Sequence, residues 1–76
     1  MNAYILIQTA VGRQGDVSTE IARIDGVVEA DPVTGPYDVV VVVEASSLDE
    51  LGRGVLAQIE AIDGITRTLT CPVVSF

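Results

Sequence analysis

The sequence contains no histidine, no lysine and one cysteine, Cys71, in 76 residues. One cysteine cannot close an internal disulfide. Without histidine, the ligands of a structural zinc site are missing as well. No basic residue adjoins Cys71 to stabilise a thiolate, so it reads as a small buried hydrophobe. With lysine absent, all basic charge rests on four arginines against eleven acids, for a net charge of −7. Duplex binding draws most of its affinity from basic contacts to phosphate, which excludes direct nucleic-acid binding. The same balance disfavours anionic membrane surfaces. Uninterrupted apolar runs stop at about five residues, as in Val39–Val43, whereas a bilayer span needs about 20. The N-terminus, Met1-Asn2-Ala3-Tyr4, lacks the positive n-region of a signal peptide, which points to the cytoplasm. No activated nucleophile is in view. General acid–base chemistry would fall to carboxylates and two tyrosines. No enzyme activity, cofactor or metal is expected.

What the sequence does have is apolar surface: 49% of its residues are hydrophobic. A chain of this size buries only about 60% of its unfolded surface. Below about 70–80 residues, an unstapled core rarely supplies more than about 3–5 kcal/mol. The missing burial is expected to come from other copies of the chain.

Along the sequence, Ala3–Thr9 is apolar and β-prone and predicts a central strand. Gly12 and Gly15 mark the following turn. Asp16 is expected to cap a short helix carrying Val17, Ile21 and Ile24 on one stripe. Gly12-Arg13-Gln14-Gly15 is too short for a phosphate loop, and Asp16 would repel the anion. Gly26 ends the helix, and residues 27–33 form a second strand. Thr34-Gly35-Pro36-Tyr37 is a turn, with Gly supplying positive φ and Pro fixing its own. Residues 38–44 predict a third strand with both faces covered. Ser47-Leu48-Asp49-Glu50 reads as a capping box, each end satisfying the other's free backbone donor. The helix after it carries Leu48, Leu51, Val55, Leu56, Ile59 and Ile62 on one stripe. Gly64 ends it, and residues 65–74 form the last strand. Ile24-Asp25-Gly26-Val27 is echoed by Ile62-Asp63-Gly64-Ile65.

The order β-α-β-β-α-β in two similar halves predicts an α+β, ferredoxin-like sandwich. It has an antiparallel four-stranded sheet with two helices on one face. The apolar first and third strands belong in its centre. The second strand, with Glu29, Asp31 and Pro32, and the fourth, with Arg67 and Pro72, belong on the edges. A sheet with one wet face should alternate apolar and polar. Val39–Val43 does not, so the face without helices is expected to pack on the same face of a second copy.

Thr34-Gly35-Pro36-Tyr37-Asp38 before an apolar strand, and Asp63-Gly64-Ile65-Thr66-Arg67-Thr68-Leu69-Thr70 near the end, carry a resemblance. Together they resemble the effector-binding (RAM) domain of the Lrp/AsnC regulators, over essentially the whole chain. The resemblance implies face-to-face dimers assembled into octamers or decamers. It also implies small effectors, usually amino acids, bound in clefts between dimers. The residues it carries over to that cleft are Gly35, Tyr37, Asp38, Thr68 and Thr70, with neighbouring Thr34. Full-length members carry an N-terminal helix-turn-helix domain. This sequence starts at the first strand, so the expectation is one domain, residues 1–76, with no DNA-binding domain, modulating full-length regulators.

The chemistry suits a zwitterion. Asp38 offers charge to an ammonium group, and Gly35 allows close backbone approach. Tyr37 offers a ring and a hydroxyl. Thr68 and Thr70 share one strand face by period two, which is expected to send Leu69, Cys71 and Val73 toward the helices. The same residues also read plainly: a hairpin turn for 34–38, and β-propensity for the threonines. Arg67 is a candidate to pair with an acid of a neighbouring subunit. Two alternatives share the topology. One is a dimeric α+β-barrel enzyme of the monooxygenase or isomerase type. The other is an ACT-like regulatory domain, which pairs sheets edge to edge.

Overall fold

The computed structural model describes residues 1–76. Strand β1 (Asn2–Thr9) alternates Ala3, Ile5 and Ile7 with Tyr4, Leu6 and Gln8, and its first set is fully buried. Helix α1 (Gln14–Ile21) lays Val17 and Ile21 on that buried face. Strands β2 (Val27–Pro32), β3 (Val39–Glu44) and β4 (Ile65–Pro72) complete one antiparallel sheet in the order β2-β3-β1-β4. This is the expected ferredoxin-like sandwich. The two most apolar strands are central and the charged, proline-bearing ones are at the edges.

The second helical segment, residues 48–60, was expected as one α-helix. It is α-helical over Leu48–Glu50, π-helical over Leu51–Leu56 and α-helical again over Ala57–Glu60. The wide turn falls on Leu51-Gly52-Arg53-Gly54, where two glycines weaken the α-helical preference. Its signature bond runs from the Ala57 N–H to the Gly52 carbonyl. Leu51, Val55 and Ile59 are the buried residues here, spaced by four. An α-helix turns about 100° per residue, so residues four apart drift by about 40° at each step. The wider π turn absorbs part of that drift and keeps all three side chains over the sheet. Leu48, expected on the stripe, is 64% exposed.

Two end-cap expectations change in detail. Helix α1 starts at Gln14, with Arg13 at its N-cap making no side-chain cap bond. Asp16 lies inside the first turn, where its charge complements the helix dipole. Ser47 Oγ accepts the Glu50 N–H at 3.1 Å, as expected of a capping box. The Glu50 carboxylate, however, reaches back to the Ser46 N–H and hydroxyl rather than to Ser47.

The internal echo is structural. Gly26 and Gly64 take φ of +96° and +98° at equivalent bends into β2 and β4, and Ile24 and Ile62 pack beside the core. Of the five consecutive valines, Val39, Val41 and Val43 are fully buried under the helices. Val40 and Val42 face the other way and are only half-buried. With them on that open face stand Tyr4 at 48% exposure and Leu69 at 41%. No helix is long and apolar enough to cross a membrane.

Candidate effector site

Strand pairing brings the end of β1, the start of β3 and the start of β4 to one end of the sheet. The turn leading into β3 is held there by polar contacts to backbone. Asp38 donates its N–H to the Ile7 carbonyl at 2.8 Å, and its Oδ2 accepts the Thr9 N–H at 2.8 Å. Gln14 Nε2 donates to the Val33 and Asp38 carbonyls at 2.7 and 2.6 Å, tying α1 to both ends of the turn. Gln8 Nε2 donates to the Pro36 carbonyl at 3.0 Å. Thr34, Gly35 and Pro36 form an exposed tip, with Gly35 at φ +131°, while Tyr37 and Asp38 are half-buried. The result is an anchored base carrying an open tip. Asp38 has a structural duty that the sequence did not reveal, since one carboxylate oxygen is engaged by the backbone of β1.

The threonines lie elsewhere at the same end. Thr68 pairs with Ile7 and Thr70 with Ile5, both core-facing residues of β1. Antiparallel partners share a face, so Thr68 and Thr70 lie on the helix side of the sheet. Leu69 and Cys71, paired with Leu6 and Tyr4, lie on the open side. This reverses the expected orientation of β4. Cys71, expected to be buried, is exposed.

Strand β1 separates the 34–38 turn from β4. Thr68 and Val39 flank Ile7 on either side. Two strand spacings of about 4.8 Å put them roughly 10 Å apart across the sheet. One protomer therefore brings Thr34–Asp38 and Thr68/Thr70 to one end of the sheet without joining them in a single pocket. Thr68 instead borders an open hollow of about 290 Å³ that also touches Glu60, Ile65, Thr66 and Arg67. Sequence reasoning did not select Glu60 or Thr66 as site residues. Nothing in the pattern signals that the end of the second helix meets the start of β4. Gly12-Arg13-Gln14-Gly15, set aside as a phosphate loop, is occupied internally. Arg13 Nη1 pairs with Asp63 at 3.2 Å, and Gln14 holds the turn. No group of histidine, cysteine and carboxylate side chains is arranged to hold a metal.

The fold and its anchored turn define a small ferredoxin-like α+β domain. The family model described as the Lrp/AsnC ligand binding domain matches residues 2–75. The chain belongs to that family, whose named relatives are transcriptional regulators rather than enzymes. It is 41% identical over 63 residues to the helix-turn-helix-type transcriptional regulator PH1916 of Pyrococcus horikoshii, covering 83% of this chain and 41% of that protein. Among solved structures, TTHA0845 of Thermus thermophilus superposes with a TM-score of 0.89 at 32% identity, covering 99% of this chain and 95% of that one. Escherichia coli AsnC superposes with a TM-score of 0.89 at 26% identity, covering 99% of this chain and 51% of AsnC. The chain thus spans less than half the length of the curated relatives it matches.

Proposed function

We propose that this chain is the effector-sensing module of a cytoplasmic transcriptional control system. It binds an amino acid or a similar small zwitterion as a face-to-face dimer and larger ring, without contacting nucleic acid itself. The observation that carries this reading is the family match over residues 2–75, joined to the anchored turn. A rigid base under an exposed Thr34–Gly35–Pro36 tip presents backbone donors and acceptors with little ordering cost. Asp38 has a second carboxylate oxygen to offer an ammonium group. The ~10 Å gap across β1 supports a ligand cleft completed by a neighbouring copy, with the turn of one protomer approaching Thr68 and Thr70 of another. The uncovered stripe of Val40, Val42, Tyr4, Leu6 and Leu69 supports the underlying dimer. A module of this kind acts on transcription through full-length relatives of the PH1916 type, by co-assembling with them and tuning their assemblies.

The test is a thermal-shift panel of the twenty amino acids at millimolar concentration. A ligand present at 100 times its Kd stabilises the native assembly by about 2.7 kcal/mol. In a domain of this size that amounts to a rise in Tm of well over 5 °C, at about 4–8 °C per kcal/mol. A panel without any shift overturns the amino-acid reading. A stable monomer by native mass spectrometry at micromolar concentration overturns the assembly.

A further inference from the structure

Ile24-Asp25-Gly26-Val27 and Ile62-Asp63-Gly64-Ile65 are near-identical segments at equivalent bends. Each sets an exposed aspartate directly before a glycine at positive φ. The two glycine carbonyls are held alike. Gly26 accepts the Glu44 N–H at 2.9 Å, and Gly64 accepts the Ala10 N–H at 2.8 Å. Neither glycine N–H donates a backbone hydrogen bond. The aspartates differ. Arg13 Nη1 donates to Asp63 Oδ2 and Nη2 to the Asp63 carbonyl, both at 3.2 Å. The Arg13 side chain also lies over Gly64, where a Cβ would stand 3.1 Å from its Cζ. Asp25 has no such clamp. The ion pairs of the chain are Arg13–Asp63 and Arg53–Asp49, so Arg23, two positions before Asp25, leaves its carboxylate unpaired.

An aspartate followed by glycine can cyclise, because no Cβ on the next residue crowds the attacking nitrogen. At Asp25 the Gly26 backbone nitrogen would bond to the side-chain carbon Cγ. One carboxyl oxygen leaves as water, taking the amide proton and the carboxyl proton. Water then adds back to the cyclic imide at either carbonyl. Breaking the Cγ–N bond regenerates aspartate. Breaking the bond from the Asp25 backbone carbonyl carbon to nitrogen leaves the chain running through Cγ, as isoaspartate. Nothing is oxidised or reduced, and the only reagent is solvent.

We propose that Asp25–Gly26 is a site of spontaneous isoaspartate formation in the folded protein, and that Arg13 shields Asp63–Gly64 from the same reaction. One guanidinium holds both a carboxylate oxygen and the backbone carbonyl of Asp63, which keeps Cγ from swinging onto the Gly64 nitrogen. At the first bend only local opening of an exposed helix end is needed, the least protected kind of segment in a fold. The site lies where β2 begins, with Val27 paired to Val43, at the far end of the sheet from the 34–38 turn. Its product has one more carbon in the backbone. The bend has little room for it, since a Cβ on Gly26 would already stand 3.0 Å from Val55 Cγ2 and 3.2 Å from the Glu44 carbonyl oxygen. Isomerisation therefore destabilises the packing of this bend against the second helix.

The test incubates the folded protein at neutral pH beside a sample unfolded in urea. Peptide mapping by mass spectrometry, with fragmentation that separates the two isomers of equal mass, follows each bend. In urea the two sites should react at matching rates, because their neighbours match. In the folded protein Asp25 should react and Asp63 should lag by about fivefold, the factor given by a partly exposed ion pair at the strong end of its range. Arg13→Gln should raise Asp63 to the Asp25 rate, with far-UV circular dichroism checking that the fold is retained. Asp25→Glu should abolish the isomer at the first bend, since the larger ring closes far more slowly. The isoaspartate form, separated by ion exchange, should unfold at lower urea concentration than the parent. Equal rates in the folded protein, faster reaction at Asp63, or reaction confined to the urea sample each overturns the proposal. Continued protection of Asp63 in the Arg13→Gln chain overturns the shielding role. An unchanged urea midpoint for the isomer overturns its effect on the bend.

Discussion

Alanine substitution at three glycines separates backbone strain from packing in this fold. Gly52 lies in the second helix outside the positive-φ region, and a Cβ there meets nothing within 4 Å. Gly52→Ala should therefore stabilise by about 0.5–1 kcal/mol, the usual difference between glycine and alanine in a helix interior. Gly12 has φ +82° and equally open surroundings. Its alanine suffers about 1–2 kcal/mol of left-handed strain. The reduced freedom of the unfolded chain returns about 0.4–1 kcal/mol of that. The net loss should be about 1 kcal/mol. Gly26 has φ +96°, and a Cβ there would stand 3.0 Å from Val55 Cγ2 and 3.2 Å from the Glu44 carbonyl oxygen. Neither neighbour yields easily, because Val55 is in the core and the Glu44 backbone is bonded to Gly26, its N–H donating to the Gly26 carbonyl at 2.9 Å. Overpacking adds about 1–3 kcal/mol, for a total near 2–4 kcal/mol. In a domain with about 3–5 kcal/mol of core stability, that removes most of the stability. Urea titrations followed by far-UV circular dichroism give the three values, at one fixed protein concentration because assembly stabilises by mass action. If Gly26→Ala loses no more than Gly12→Ala, the close packing of the α1–β2 bend against the second helix is refuted.

Two further predictions bear on the site and the assembly. Asp38→Ala removes a charged acceptor from the half-buried Thr9 N–H and should lower stability by about 1–3 kcal/mol in the same titration, even without ligand. Asp38→Asn keeps an acceptor oxygen, so it should hold the fold while diminishing the thermal shift by any effector found in the panel. An undiminished shift would leave Asp38 only its structural role. Val42→Lys places a charge in the middle of the open face, where Val42 is half-buried in the protomer. Native mass spectrometry should show monomer while circular dichroism is unchanged, and a persistent dimer would move the interface to another surface.

Much of the fold was legible in sequence because it follows from local periodicity and punctuation. Alternating and continuous apolar runs placed four strands. Glycines at 26 and 64 marked the two equivalent bends, and charge and proline assigned the edges. The π turn was not legible. It answers the spacing of Leu51, Val55 and Ile59 against a sheet whose surface only the assembled fold presents. The turn residues of the candidate site were legible as a motif, yet the tie from Asp38 to Thr9 spans 29 positions and exists only once β1 and β3 are side by side.

Strand β4 shows the boundary most clearly. Its alternation established that Thr68 and Thr70 share one face and Leu69 and Cys71 the other. It could not establish which face is which, because period two is symmetric under that exchange. The usual rule, apolar inward, would send Leu69 and Cys71 under the helices. The register with β1 decided otherwise by pairing Thr68 and Thr70 with Ile7 and Ile5. Leu69 and Cys71 instead extend the apolar stripe of Leu6 and Tyr4. Sequence alone thus determined the strands, their order of hydrophobicity and an excess of apolar surface. Tertiary structure decided where that excess lies, because a side chain's face is a property of the pairing between strands.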